Sequence, residues 1–346
     1  MVILSNYSII HELGYGMFAT VYKIQTPNKK KYALKIQHIK KSDIKPNPNP
    51  NPNPNPNPNP NPNPKSSVWS EINFSTNFAN KYPTQFVKLH EYDFIDGCKY
   101  IQKYSFDIST FSNDLQKKFA QLSTSPYCVR MVYDLIDGNL YELDGKLSVK
   151  QIYSMIIQLT YSIKLLHSAN YSHSDIHNRN VGWIKTGKTT KIKLGKLNIK
   201  TYGYIFKLID YGMVMNKSNK MTKKEKVEFE NNFTNELVLL VHFMVDSSIY
   251  DYINENKIDM NFNADYTEFK KTKYYNLIRK YSTNDVIQMF LFDILFPDQY
   301  QKIAFGSNYT HTIPRKLFIP FEDIEYFILN YKTPDLIIKY FNNKLI

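Results

Sequence analysis

A dense group of acidic, amide and imidazole side chains falls within the eight residues HSDIHNRN, His173–Asn180. Asp175 could accept a proton from an attacking hydroxyl, and His177 could donate a hydrogen bond beside it. Asn180 offers an amide oxygen, which is a hard ligand of the kind that Mg²⁺ prefers. The residue types and their spacing indicate a loop that holds a metal ion and a hydroxyl, although each of them alone is ordinary loop chemistry.

A further carboxylate, Asp210, ends the apolar strand pattern KLIDYG. Gly212 permits a sharp turn directly after it, because glycine adopts backbone angles that other residues avoid. Like the amide of Asn180, the carboxylate of Asp210 supplies an oxygen ligand for Mg²⁺ that bridges nucleotide phosphates.

Lys35 lies inside the apolar strand pattern YALKI, where an unpaired ammonium group is costly to bury. It could point to water from an edge strand, or into a cleft to meet phosphates and a carboxylate. Glu71, on the helical pattern VWSEINF, is the available carboxylate. Lys35 and Glu71 are 36 residues apart, and removing nine Asn-Pro pairs (18 residues) between them leaves 18. This separation predicts a compact strand–loop–helix step with the repeat inserted in its loop.

Two glycines, Gly14 and Gly16, lie between strand patterns in ELGYGMFATVYKI. Glycine lets the backbone approach a ligand closely, so a hairpin of this kind could cover phosphates. A pair of glycines is also common in plain turns, and the pattern leaves both interpretations open.

The pattern of apolar residues changes along the chain and predicts an α+β protein. Residues 1–135 are rich in strand patterns and carry the Asn-Pro repeat insertion at 46–64, where alternating prolines exclude both helix and sheet. Residues 136–145 are predicted to be a hinge or linker. Residues 146–346 show mainly helical spacing of their apolar side chains.

Composition limits the class of protein and its compartment. The chain has 346 residues, of which 42% are hydrophobic, so a sizeable core is expected. Its two cysteines, Cys98 and Cys128, cannot form a disulfide framework or a four-ligand zinc site, and both are expected to be free thiols. No stretch resembles a signal peptide or a membrane span. The sequence therefore predicts a soluble, intracellular protein.

The net charge of +13 is concentrated in two segments. Residues 185–200 contain six lysines and no acid, and residues 217–226 contain five lysines and one glutamate. Both segments are expected to be loops, either simply solvated or recruiting an acidic partner. An acidic protein or an anionic membrane would fit, and nucleic acid is the less favoured partner.

In their order along the chain, these motifs resemble those of the protein kinase superfamily. ELGYGMFATVY is similar to the Gly-rich loop, YALKI to the Val-Ala-Ile-Lys strand, and Glu71 to the carboxylate that pairs with that lysine. HSDIHNRN is similar to His-Arg-Asp-x-x-x-x-Asn, and DYG to Asp-Phe-Gly. The catalytic loop and the Asn-rich composition are also similar to serine/threonine kinases of giant DNA viruses, which implies a viral protein in the host cytoplasm or the virion.

The resemblance implies a two-lobed, kinase-like fold with a β-rich N-lobe and a mainly helical C-lobe, and it implies ATP and Mg²⁺ as cofactors. Asp175 would be the catalytic base, with Lys35 and His177 also in the catalytic set. Asn180 and Asp210 would bind the metal. The residues implied in nucleotide binding are Gly14, Gly16, Phe18, Val21, Ala33, Lys35, Glu71, Asp134 and Ile136.

Several positions depart from the family pattern. Ala19 replaces the third glycine, and Ser174 replaces the arginine that meets a phosphorylated activation loop in the family. His177 stands where protein kinases carry a lysine, and no Ala-Pro-Glu follows DYG. Glu236 stands near the position of the family's bracing aspartate. The resemblance most favours a protein serine/threonine kinase, but a small-molecule kinase of the same fold or a catalytically weak binding module stays open.

Overall fold

The computed structural model describes residues 3–15, 19–44, 67–99, 116–117, 120, 125–218, 221–245, 262–280, 285–296, 299–300, 302–303 and 317–345. The fold is mixed α+β, as predicted. The chain divides into two compact units. The first unit comprises Met1–Asp137 and Ile209–Val214, and the second comprises Gly138–Leu208 and Met215–Ile346. The sequence predicted a linker at 136–145. No local pattern indicated that Ile209–Val214, a short segment far along the chain, belongs to the first unit.

A five-stranded antiparallel sheet forms the body of the first unit, with the strand order β1-β2-β3-β5-β4. Its strands are β1 (Ser8–Tyr15), β2 (Ala19–Gln25), β3 (Lys31–His38), β4 (Leu89–Asp96) and β5 (Tyr127–Asp134). A short helix, α1 (Lys41–Ile44), follows β3, and helix α2 (Ser67–Asn77) precedes β4.

The two faces of this sheet have different chemistry because successive side chains in a strand point to opposite sides. One face carries an apolar cluster that includes Ile24, Leu34 and Val132. The other face carries Lys35, which lies opposite Val21 on β2 and Met131 on β5. The strand pattern of YALKI therefore directs its lysine away from the apolar cluster.

Cys98 and Cys128 form a disulfide, so the expectation of free thiols is wrong. Their Cα atoms are 5.7 Å apart, which lies within the usual range for bonded cysteines. Antiparallel pairing of β4 with β5 places Ile95 opposite Cys128, and the backbone N–H of Cys98 donates to the carbonyl of Pro126 at 2.7 Å. Counting cysteines could not reveal that two of them flank the same strand pair.

The second unit is built around helix α3 (Val149–Ser168) and three small antiparallel sheets. The sheet orders are β11-β8-β6, β10-β9 and β12-β7. Their strands are β6 (Gly138–Asn139), β7 (Tyr171–Ser172), β8 (Val181–Lys185), β9 (Lys191–Leu194), β10 (Leu197–Lys200), β11 (Tyr204–Leu208) and β12 (Met215–Asn216).

The other helices of the second unit follow β12. They are α4 (Lys223–Asn235), a 3-10 helix (Val238–Met244), α5 (Phe262–Lys270), α6 (Lys273–Ile278), α7 (Asp285–Leu295), α8 (Phe321–Asn330) and α9 (Pro334–Lys344). The C-terminal helix α9 packs on α3, where Phe341 contacts the Tyr153 ring. Within the described part of the chain, no helix combines the length and apolar character that crossing a bilayer would require.

The lysine-rich residues 185–200 are not a loop, because β9 and β10 pair as a hairpin within them. Ile199 and Leu194 are buried, while the lysines on the alternate positions of β9 are exposed. The hairpin packs on α3, where the Ser154 hydroxyl donates to the carbonyl of Lys200 at 2.9 Å. The second lysine-rich segment, 217–226, ends in the first turn of α4 rather than in a loop.

Candidate functional site

The ammonium group of Lys35 is held by two carboxylates of the first unit. Its Nζ lies 2.8 Å and 2.9 Å from the two carboxylate oxygens of Glu71. It also lies 2.9 Å from Oδ1 of Asp210. The Lys35 side chain is 12% exposed, whereas Glu71 is 2% and Asp210 is 50% exposed. Lys35 thus contacts both Glu71, the carboxylate that the sequence offered as its partner, and Asp210.

Lys35 remains a cation in this environment. Burial by itself would lower the pKa of Lys35, but the neighbouring charges of Asp210 and Glu71 outweigh burial and raise this pKa above its usual range. The positive charge is therefore retained between the two carboxylates, of which that of Asp210 is half exposed. A buried ion pair of this kind gives no clear stability benefit over apolar packing, which favours a functional reason for it.

Tyr133 is a member of this group that the sequence did not reveal. Its hydroxyl donates to Oε1 of Glu71 at 2.9 Å from β5, the strand next to β3. Burial raises the pKa of Tyr133 well above its usual value, so the hydroxyl stays protonated and continues to donate. No local pattern distinguished Tyr133 from an ordinary core tyrosine, since its role arises only from the pairing of β3 with β5.

Asp210 is presented by a tight turn that Tyr211 anchors. Its backbone φ is +59°, a left-handed conformation that is uncommon for residues other than glycine. The next residue, Tyr211, is buried, and its ring lies 4.8 Å from that of Phe74 on α2. The Tyr211 hydroxyl accepts from the backbone N–H of Val87 at 2.8 Å. This packing explains why Ile209–Val214 belongs to the first unit.

The predicted nucleotide-binding residues of the sheet lie on its lysine-bearing face. Gly14 pairs with Val21 across β1 and β2, and Val21 pairs with Lys35. Ala33 is two residues from Lys35 on β3 and therefore points to the same side. A side chain at Gly14 would meet no atom within 4 Å, so the space beside its backbone is open. Gly16 and Phe18 lie outside the described residues.

Asp134 and Ile136 end β5 and begin the connection to the second unit. The carboxylate of Asp134 accepts from the backbone N–H of Lys88 at 3.3 Å and lies 2.6 Å from Nε2 of His90. These contacts hold the side chain of Asp134 to the sheet. The backbone N–H of Asp134 donates to the carbonyl of Lys88 at 3.0 Å, so the main chain of this residue is bonded to the sheet as well.

Asp175 and Asn180 form a separate group in the second unit. The Asn180 amide nitrogen donates to Oδ2 of Asp175 at 2.8 Å and to the carbonyl of Asp175 at 2.9 Å. These bonds fix the orientation of a carboxylate that is 43% exposed. Because Asn180 uses its amide nitrogen in both bonds, its side-chain oxygen is the atom that could coordinate a cation. The loop thus presents one oriented base and one oxygen ligand.

His177 faces the other oxygen of Asp175. Its Nδ1 accepts from the backbone N–H of Arg179 at 3.3 Å, which leaves Nε2 as the ring nitrogen that faces Asp175. Nε2 lies 3.7 Å from Oδ1 of Asp175, and the imidazole is 46% exposed. This arrangement places an imidazole next to the exposed oxygen of the Asp175 carboxylate.

Glu236 stabilises the loop that contains Asp175. Its buried Oε1 accepts from the Ser172 hydroxyl and from the backbone N–H of Ser174, both at 2.7 Å. Its Oε2 lies 2.9 Å from Nε2 of His167 at the end of α3. Ser174 has a left-handed φ of +64°, and the hydrogen bond to Glu236 holds it in that conformation. Glu236 therefore positions the residue that precedes Asp175.

The two groups carry complementary chemistry. The first unit offers a cation and a half-exposed carboxylate on a sheet face with a glycine hairpin, which suits a polyphosphate with a divalent cation. The second unit offers an oriented carboxylate base and an amide oxygen. Asp210 and Asn180, the residues predicted to bind a metal, both present oxygen donors, as Mg²⁺ requires.

Comparison of the sequence with models of known protein families gave no match, and neither did comparison with curated proteins. Function is therefore inferred from the arrangement of residues.

Proposed function

We propose that this protein is an ATP- and Mg²⁺-dependent phosphotransferase with a two-lobed, protein-kinase-like fold, and that it phosphorylates serine or threonine hydroxyls of protein acceptors. One observation carries the proposal. The ammonium group of Lys35 is bonded at once to Glu71 and to Asp210, which are 36 and 175 residues away in the sequence. A buried cation held between a helix carboxylate and a turn carboxylate is the arrangement that phosphate positioning needs.

On the nucleotide side, Lys35 would bind the α- and β-phosphates, and Glu71 and Tyr133 would keep its side chain in place. The backbone of the Gly14 hairpin would cover the phosphates, while Val21 and Ala33 would contact the adenine. Asp210 and Asn180 would each offer an oxygen ligand to Mg²⁺, which neutralises phosphate charge when it is bound.

On the acceptor side, Asp175 would accept the proton of the attacking hydroxyl. Its Oδ2 is held by Asn180, so that Oδ1 is the oxygen positioned to take the proton. His177 would donate a hydrogen bond from Nε2 and would stabilise charge without supplying a full positive charge. Glu236 would act as a positioning residue, since it contacts only the loop.

A small-molecule kinase of the same fold is the second candidate. The observation that favours it is the position of His177 beside Asp175, where a lysine would neutralise more phosphate charge. The absence of Ala-Pro-Glu after DYG points in the same direction.

The test is incubation of the full chain with labelled ATP, Mg²⁺ and a panel of proteins and hydroxylated small molecules. Asp175→Ala should reduce transfer by about 10²- to 10⁴-fold, the usual contribution of a general base, while nucleotide binding largely persists. Lys35→Met should weaken nucleotide binding and transfer together, because it removes the phosphate-binding cation.

Lys31→Met is the matched control, because Lys31 is exposed on the same strand. It should behave like the unaltered protein. Transfer that survives Asp175→Ala would show that another residue is the base. Absence of nucleotide binding by the unaltered chain would refute the proposed function.

A further inference from the structure

The second unit contains a cavity of about 220 Å³ directly beside the loop of Asp175. Three consecutive residues of that loop, Ile176, His177 and Asn178, line one side of it. Nε2 of His177 lies 3.7 Å from the Asp175 carboxylate, so the cavity adjoins the group assigned above as the base. A molecule that brings a hydroxyl to Asp175 would place its neighbouring atoms at or in this cavity.

The cavity is mainly apolar, and backbone hydrogen bonds hold one of its walls in place. Nine of its fourteen lining residues have apolar side chains, among them Leu239 and Phe243 of the 3-10 helix and Phe318. The backbone N–H of Phe318 donates to the carbonyl of Met244 at 3.0 Å, and Val245 pairs with Leu317. These bonds hold a distant segment of the chain against the 3-10 helix as the wall. Such a lining favours an apolar occupant.

The volume indicates what kind of occupant fits. Sites that enclose whole small ligands usually have about 300–1,000 Å³, so this cavity is small for a complete substrate. It suits one large side chain of a bigger molecule instead. An extended peptide advances about 3.3 Å per residue, and His177, which lines the cavity, approaches the Asp175 carboxylate to 3.7 Å. A side chain in the cavity would therefore belong to a residue close to the phosphorylated one.

We propose that this acceptor cavity binds a large apolar side chain of a protein acceptor, one to three residues from the hydroxyl that is phosphorylated. The inference rests on the proposed function and extends it, because it names the acceptor class and a specificity element. It separates a protein acceptor from a polar small molecule, which would gain little from an apolar cavity of this size.

The experiment uses the full chain and a positional library of peptides with a central serine or threonine. Leucine or phenylalanine at one of the nearby positions should raise kcat/KM at least about tenfold over alanine, as expected for burial of one large apolar side chain. Leu239→Trp, which fills the cavity without adding charge, should remove most of this preference. The readout is the ratio of kcat/KM for the two peptides, which is insensitive to a general loss of activity.

Leu329→Trp is the matched control, since Leu329 is 58% exposed on α8 and does not line the cavity. It should keep the leucine preference. Thermal unfolding of both variants checks that they fold, and Leu239→Ala, which enlarges the cavity, should shift the preference towards bulkier residues. Phosphorylation of peptides with no apolar preference at any position would overturn the cavity proposal while leaving the proposed function standing.

A binding measurement separates the remaining outcomes. Dye-labelled library peptides are titrated into the unaltered chain and into Leu239→Trp without ATP. If no acceptor is phosphorylated but apolar peptides bind and Leu239→Trp weakens them, the proposed function fails and the cavity assignment is supported. If the preferred acceptor is a small hydroxylated molecule whose KM rises in Leu239→Trp, the protein acceptor is refuted.

Discussion

At the residue scale, Lys35 and Glu236 are charged groups that are largely buried and have several partners each. Lys35 has two carboxylates, and Glu236 receives a hydroxyl, a backbone N–H and an imidazole. Burying a charge without such partners costs several kcal/mol, so each of these groups fixes the position of the others. In each case one of the partners is a residue with a left-handed backbone conformation, Asp210 for Lys35 and Ser174 for Glu236.

Glu236→Gln tests whether the carboxylate of Glu236 positions the loop that contains Asp175. Glutamine keeps the shape and one oxygen that can accept from Ser172 and Ser174, but an uncharged NH2 group replaces the carboxylate oxygen that faces Nε2 of His167. We expect a loss of about 1–3 kcal/mol in the free energy of unfolding from the poorly satisfied donors. The phosphotransfer rate should fall more than the affinity for ATP. Urea unfolding and steady-state kinetics provide the two readouts.

The control for this substitution is Glu230→Gln. Glu230 is exposed and pairs with exposed Lys217, and such surface pairs contribute little. If both variants lose the same rate, Glu236 has no specific role in positioning the loop.

At the scale of elements, a disulfide connects two strands of the first unit and a buried carboxylate connects three helices of the second unit. In the first unit, the Cys98–Cys128 disulfide joins the end of β4 to the start of β5. In the second unit, the buried carboxylate of Asp323 on α8 accepts from the hydroxyls of Tyr153 on α3 and Tyr340 on α9. Each of these connections joins elements that are separated in the sequence, and each leads to a separate prediction.

Removing the disulfide should destabilise the first unit. A crosslink between residues 30 apart contributes about 3–4 kcal/mol in the chain-entropy description, because it restricts the unfolded chain. Reductant should therefore lower the urea midpoint of the unaltered protein and should not change that of Cys98→Ser. Thiol titration of the denatured, unreduced protein should find no free cysteine. Two titratable thiols would contradict the bond.

Asp323 predicts a pH-dependent stability. Burial by itself would raise the pKa of Asp323, but hydrogen bonds from Lys344, Tyr153 and Tyr340 outweigh burial and lower it below 3.8. A carboxyl whose folded pKa is lowered stabilises the protein above its unfolded pKa, and this contribution is lost as the pH falls through the folded value. Asp323→Asn should lower the free energy of unfolding by about 3 kcal/mol at neutral pH, since it breaks a buried charged network.

The difference in Tm between the unaltered protein and Asp323→Asn should be largest above pH 5 and should narrow below about pH 4. Asp335→Asn is the control. Asp335 is 73% exposed and pairs with Lys164, so its removal should change Tm little. A Tm difference for Asp323→Asn that stays constant down to pH 2 would show that its charge does not matter.

At the scale of the whole molecule, the chain combines two units that each carry one part of the proposed chemistry. Lys35 and Asp210, which are proposed to bind phosphate and metal, lie in the first unit, and Asp175, the proposed base, lies in the second unit together with Glu236 and the cavity beside His177. The segment Ile209–Val214 belongs to the first unit although its neighbours in sequence belong to the second. The basic β9–β10 hairpin belongs to the second unit, and the lysines of β9 are exposed there.

Much of the fold and of the candidate site could be predicted from sequence because it depends on local patterns. The apolar strand pattern around Lys35 indicated that its ammonium group needs a carboxylate, for which Glu71 was the available residue, and the separation of the two located the Asn-Pro repeat in a loop between them. The crowding of HSDIHNRN marked Asp175 and its neighbours. Periodicity and short spacing determine which face a residue occupies, and they operate within one element.

Tertiary structure decided what depends on the pairing of distant elements. The pairing of β4 with β5 brought Cys98 to Cys128, and the pairing of β3 with β5 brought the Tyr133 hydroxyl to Glu71. Burial of alternate residues against α3 turned a lysine-rich segment into a hairpin. The cavity beside His177 required a wall from residues beyond 300. Such contacts are set by strand register and packing across the chain, which no local pattern in the sequence contains.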